Sequence, residues 1–152
     1  MLRVEYVDLD DELLVIVGEG VVGYQEFLEL WDSLRERPDW PRLNRHLYDL
    51  AECATLLEAH EVVEIVTRER CEAHLAAGKR VAVVSDVAVT YGMARMYQMR
   101  GELTRNYELE VFRSLADACA WLGVARGTTS RPPLLSGMGA VTWCRRAAAG
   151  GR

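Results

Sequence analysis

No apolar run in the 152-residue chain reaches the ~18 residues that a membrane-spanning helix needs. The opening MLRVEYVDLDDE turns acidic at once and has none of the basic-then-apolar layout of a secretory signal. A cytoplasmic protein, at most peripheral to a membrane, is therefore expected. Cysteine is sparse and scattered (Cys53, Cys71, Cys119, Cys144), so reduced thiols are the expectation. Cys71 and His74 stand at i, i+3, but His46, His60 and Cys53 are dispersed and supply no second ligand pair, so no metal site and no cofactor are expected. There is no G-x-S-x-G, and Ser85 has no histidine near it in sequence to act as base. The chain reads as non-catalytic.

Acids are missing altogether from residues 124–152, which carry five arginines (Arg126, Arg131, Arg145, Arg146, Arg152). All 23 acids and 13 of the 18 bases fall in residues 1–123, a net of −10 against +5 for the remainder. An acidic body repels phosphate backbones, which argues against nucleic acid as a partner. The basic segment is rich in Gly, Pro, Ser and Ala without helical or strand period, and reads as a flexible tail to a domain over 1–123. At 50% hydrophobic and 27% charged residues, the composition suits one globular domain and leaves no room for two.

Val4–Asp8 and Leu13–Val17 read as strands of a hairpin around the acidic turn Leu9–Glu12. Phe27, Leu30, Trp31 and Leu34 form a helical stripe closed by Pro38 and Pro41. Arg45–Leu50 reads as a third strand ending in an acid, and Ala59–Ala77 as a second helix stopped by Gly78. Val81–Val84 is wholly apolar, as in a strand buried on both faces. Ser85 and Asp86 are cap candidates for a helix centred on Tyr91–Arg100. Leu109–Phe112 is a fifth strand, and Ser114–Asp117 has capping spacing before a last stripe of Leu115, Ala118, Cys119 and Leu122. The order β-β-α-β-α-β-α-β-α predicts a single α/β domain with a four- or five-stranded mixed, mostly parallel sheet flanked by helices.

Two stretches invite a functional reading. Gly18–Gly23 is a literal G-x-G-x-x-G, the glycine pattern that brings backbone amides to a pyrophosphate. Glu19 puts a carboxylate into that loop, and no Lys or Arg lies between Arg3 and Arg35 to offset it, so a glycine-rich strand-to-helix turn is the simpler reading. Asp49 and Asp86, both expected at strand ends, read as capping acids before a catalytic carboxylate pair. In Ser85–Met99, Met93, Met96 and Met99 recur every three residues beside Tyr91, Tyr97 and Arg95. Adaptable Met contacts with amphipathic Tyr and Arg suit an interface or a movable wall over an apolar pocket, beside the plainer reading of a helix packed on the sheet.

Gly20-Val-Val-Gly-Tyr-Gln-Glu-Phe, Leu47-Tyr-Asp-Leu, Val81-Ala-Val-Val, Tyr91-Gly-Met-Ala-Arg-Met-Tyr-Gln and the Glu110–Leu122 finish together resemble the SpoIIAA-like proteins of the STAS group. That group is related to the anti-sigma-factor antagonists and is compared with CRAL-TRIO lipid-binding domains. The resemblance covers about residues 4–122 and implies a non-enzymatic domain of sheet and flanking helices. Classical antagonists carry a phosphorylatable hydroxyl in an Asp-x-Ser motif after the third strand. The matching stretch here is Asp49-Leu50-Ala51, without that hydroxyl. The group's link to apolar ligands and membrane surfaces agrees with the Met/Tyr segment.

The resulting expectation is a regulatory or apolar-ligand-binding module, with peripheral membrane contact through the 87–100 helix. Its site is expected at the carboxyl ends of the third and fourth strands, with Asp49, Ser85 and Asp86 as polar edge. Tyr91, Met93, Arg95, Met96 and Tyr97 would form the wall, the arginine meeting a carboxylate or phosphate headgroup. The alternative is a protein-partner or self-associating module without a phospho-switch. A nucleotide-binding enzyme using Gly18–Gly23 is the remote third.

Overall fold

The chain begins with a hairpin. Strand β1 (Leu2–Asp8) pairs antiparallel with β2 (Leu13–Gly23). At the turn Asp8 Oδ1 accepts hydrogen bonds from the backbone N–H groups of Asp10 (3.0 Å) and Asp11 (3.2 Å), the local bonding that acidic turn residues offer. From β2 onward, strands and helices alternate: α1 (Tyr24–Arg35), β3 (Arg45–Leu56), α2 (Ala59–Cys71), β4 (Arg80–Val84), α3 (Ala88–Gly101), β5 (Glu108–Phe112) and α4 (Leu115–Leu122). This computed structural model describes residues 1–129 and 141–146.

The five strands form one sheet in the order β1-β2-β3-β4-β5, with every pair from β2 to β5 parallel. The predicted α/β class and mixed, mostly parallel sheet are what the molecule has. The strand order has a consequence for the helices. Each crossover from β2 to β5 moves one strand in the same direction, and crossovers of this kind are right-handed in about 98% of cases. That places α1, α2 and α3 on one face and leaves only α4 for the other.

The core divides accordingly. On the three-helix face Leu14, Ile16, Tyr48, Leu50, Val81, Val83 and Val111 meet Leu30 and Leu34 of α1. On the opposite face Leu13, Val15, Leu47, Ala82 and Val84 meet Ala118, Cys119 and Leu122 of α4. The wholly apolar Val81–Val84 run is thus explained by burial on both faces. The S-x-x-D spacing is a cap: Ser114 Oγ accepts from Asp117 N–H at 3.1 Å, and Gly123 ends α4 in the left-handed region.

Five expectations need correction. The second helix ends at Cys71 and not at Ala77, because the chain tightens into a 3₁₀ turn at Ala73–Leu75. Gly18–Gly23 is not a turn but the second half of β2, its Glu19–Gly23 part paired with Glu52–Leu56. Likewise β3 does not stop at Leu50 but runs on to Leu56 beside it. Residues Val124–Thr129 and Val141–Arg146, read as part of a tail without strand period, pair as antiparallel strands β6 and β7. Arg131 and Arg152 lie outside the described residues. Cys53 and Cys71 are free thiols, whereas Cys119 is disulfide-bonded, so reduced cysteines throughout was the wrong expectation.

Candidate functional site

Beneath the three helices the packing leaves a cavity of about 150 Å³. Tyr48 and Leu50 from β3, Val81 and Val83 from β4 and Leu109 from β5 form its floor. Phe27 and Trp31 of α1, Val62 and Ile65 of α2, and Met93, Ala94 and Tyr97 of α3 form the roof. An engineered apolar cavity of about this volume takes up benzene, which sets the scale of a guest at one ring.

Polar groups enter at the rim, and nearly all have partners. Trp31 Nε1 donates to Tyr48 Oη at 3.2 Å, which positions two aromatic walls across the sheet–helix boundary. Burial holds the Tyr48 phenol well above its ordinary pKa, so it remains a neutral hydroxyl. On one side Glu69 of α2 accepts from the hydroxyl of Tyr107 at 2.6 Å and from that of Tyr97, while the two phenol oxygens lie 2.8 Å apart. Arg105, 5% exposed at its side chain, sits 3.7 Å from the second Glu69 oxygen and lies over both tyrosine rings. Burial raises the Glu69 carboxyl, and the bonds from Tyr107 and Tyr97 and the charge of Arg105 oppose that rise. Next to it, Arg35 and Arg68 bridge α1 to α2 through Asp32 and Glu72.

On the other side His46 is 2% exposed and its Nε2–H donates to Leu43 O at 2.8 Å. Burial pushes its imidazole down to about 4, so it is neutral near pH 7. Trp40 stacks obliquely on His46 with ring centroids 4.9 Å apart, and Lys79 Nζ lies 4.6 Å from the Trp40 centroid.

Of the eight residues expected at the site, only Met93 and Tyr97 line this cavity. Helix geometry explains the division. At about 100° per residue, Ala94 and Tyr97 stay within about 100° of Met93, while Arg95 points to the far side. A three-residue repeat drifts by about 60° each step, so Met96 is half-buried and Met99 is exposed. The methionines therefore do not make one wall. Arg95 reaches outward, with 3.9 Å to Glu110, and Tyr91 carries the guanidinium of Arg113 over its ring at 3.8 Å.

The expected polar edge is also dispersed. Asp49 lies inside β3, one residue from Tyr48, and shares the α4-side parity of Leu47. Asp86 is exposed. Ser85 is fully buried, donating to Leu50 O at 3.2 Å and accepting from Val87 N–H at 3.2 Å. A ligand crevice at strand carboxyl ends opens where the strand order reverses and neighbouring helices part to opposite faces. With strands in the order 1-2-3-4-5 no such point exists.

Ser85 has a different task, which it shares with Thr90. β3 pairs with β4 only as far as Asp49–Val84, so the continuing β3 edge lacks ladder partners on that side. Ser85 Oγ takes Leu50 O; Thr90 Oγ1 donates to Cys53 O at 2.6 Å and accepts from Thr55 N–H at 2.9 Å. Two hydroxyls thus satisfy backbone groups that would otherwise be orphaned, and they dock the start of α3 against β3.

The glycine motif offers no phosphate cradle. Its residues are strand, with Glu19 paired to Arg3 at 2.8 Å, and α1 begins directly at Tyr24. A Cβ on Gly18 would fall 2.7 Å from Leu50 Cδ2 and 3.2 Å from Cys53 Cβ, so close packing accounts for that glycine. Cys71 ends α2 and His74 lies in the following 3₁₀ turn; among the described residues no group of three or more His, Cys, Asp or Glu is placed to hold a metal. Nor is any helix among them long and apolar enough to cross a membrane.

The chain is similar to the solved structure of an uncharacterised protein of the DUF3478 family with a SpoIIAA-like fold, from Shewanella loihica PV-4. The two share 19% identity over 80% of this chain and 92% of the other, with a TM-score of 0.49. No family model matches the sequence, and no curated protein matches it.

Proposed function

We propose that this domain is a non-catalytic module that holds a small apolar ligand between its sheet and the α1–α3 layer. The observation that carries this reading is the cavity of about 150 Å³, walled by Trp31, Ile65, Val83, Met93 and Leu109. Native cores are close-packed and seldom keep voids larger than a water molecule. A space of this size with an apolar floor and aromatic sides suits a single-ring guest better than ordered water, which needs two to four polar partners. The paired state of Glu69, Tyr97 and Tyr107 supports a binding role, since none of these groups is left poised for chemistry.

Toluene is a direct probe. A ligand at about 100 times its Kd stabilises the native state by about 2.7 kcal/mol, a readily measured rise in Tm. Ala94→Leu, which puts three more carbons into the roof, should abolish that rise while preserving the fold. No shift with toluene in the parent protein, or an equal shift in the filled variant, would count against the reading.

A second reading rests on a different face. Val89, Met99 and Leu103 are 46, 66 and 98% exposed, an apolar strip along the outside of α3 and its exit. Such a strip suits contact with a protein partner or a second copy. Sedimentation of the parent and of Met99→Asp tests it: a dimer that dissociates on substitution supports the reading, and a monomer in both removes self-association.

A further inference from the structure

Charges around the cavity balance in all but one place. Glu69 is faced by Arg105, and its first oxygen already accepts two phenol hydroxyls. Arg35 and Arg68 are matched by Asp32 and Glu72. Lys79 is the exception. It is 3% exposed, lines the cavity, and donates to Trp40 O at 2.9 Å and Leu43 O at 2.7 Å. Both partners are neutral carbonyls, which accept hydrogen bonds without supplying a full negative charge. Among the described residues no carboxylate forms an ion pair with it; Glu12 acts on it only through its charge. The Trp40 ring, its centroid 4.6 Å from Nζ, adds a cation–π contact, which softens the charge but does not neutralise it.

A buried cation without a counter-ion is costly, and charges in protein interiors are ordinarily paired. Here the missing anion has a place to come from, because Lys79 is among the residues that line the apolar space. We propose that the cavity takes a compact aromatic monocarboxylate, its carboxylate on the Lys79 ammonium and its ring beside Trp40, His46 and Val81, which line the space at the same end. This rests on the reading of the cavity as a ligand site and adds the ligand's charge and its anchor. A cationic guest fits less well, since Glu69 is already faced by Arg105 and Lys79 would stay unmatched.

Benzoate and toluene separate the two claims, because they share the ring and differ in the charge. Hydrogen bonds to charged groups carry enough energy that Lys79→Met should weaken benzoate about tenfold or more and leave toluene within about twofold. Lys79 is also the one lysine in the chain, so its ε-carbon and ammonium resonances are assignable in the unmodified protein without any substitution. Benzoate should move those resonances at saturation, and acetate at the same concentration should not. Toluene binding with no benzoate effect on the lysine overturns the inference and leaves the cavity reading intact. An equal response to acetate overturns it as well, by assigning an unselective ion contact. If neither toluene nor benzoate binds, both readings fall.

Discussion

Replacing Thr90 with valine keeps the shape of the side chain and removes only its hydroxyl, which makes the consequence calculable. Thr90 is 1% exposed, and its Oγ1 serves Cys53 O at 2.6 Å and Thr55 N–H at 2.9 Å. Valine leaves both backbone groups buried without partners, at about 1–3 kcal/mol each. Partial relaxation toward water brings the sum to about 2–4 kcal/mol. Thr90→Ser keeps the hydroxyl and gives up one methyl, worth about 1 kcal/mol. The isosteric change should therefore be the more damaging one. Urea unfolding measures this: with m of about 2 kcal/mol/M, valine should lower the midpoint by about 1–2 M and serine by about 0.5 M, at unchanged m. A valine variant as stable as the serine variant would refute the view that α3 is docked through this hydroxyl.

Gly18→Ala should cost about 1–3 kcal/mol in the same assay, because Leu50 and Cys53 already occupy the space of a Cβ. His46 should make the protein acid-sensitive. Its folded pKa of about 4 lies below the ordinary 6.5, so the unfolded chain binds the extra proton in between and stability falls as pH drops through that window. The loss between pH 6.5 and 4 should approach about 3 kcal/mol, and His46→Gln, which retains a donor for Leu43 O, should flatten that part of the pH–stability curve. Glu69 contributes with the opposite sign. Burial raises its carboxyl, so its share of stability is lost as pH rises from the unfolded carboxylate pKa through the folded one, and Glu69→Gln should remove that decline.

The elements were legible because each carries a periodic or punctuating signal. Phe27, Leu30, Trp31 and Leu34 declare the helix α1, the apolar Val81–Val84 run declares a strand covered on both faces, and Ser114 and Gly123 bracket α4. The lengths of β2 and β3 were not, since Gly18, Gly20 and Gly23 are punctuation in sequence, yet Gly18 pairs with Leu2, and Gly20 and Gly23 with Cys53 and Leu56, through the backbone. The site was legible only at Met93 and Tyr97. Its other walls come from five further elements, and which of their residues converge is decided by strand order, which no local pattern reports. Lys79, Glu69 and Tyr107 belong to no motif or apolar stripe of the sequence that would set them apart. A usable signal was Trp31 in a predicted apolar stripe together with Tyr48 inside a predicted strand, since both carry polar atoms that require partners when buried.

Isotope-filtered NMR of the full chain with toluene tests the central claim most directly. Occupation of the cavity predicts nuclear Overhauser contacts from the ring protons to the methyl groups of Ile65, Val83, Met93 and Leu109, lost in Ala94→Leu. Contacts confined to the exposed Val89, Met99 and Leu103, or no contacts at all, would contradict it.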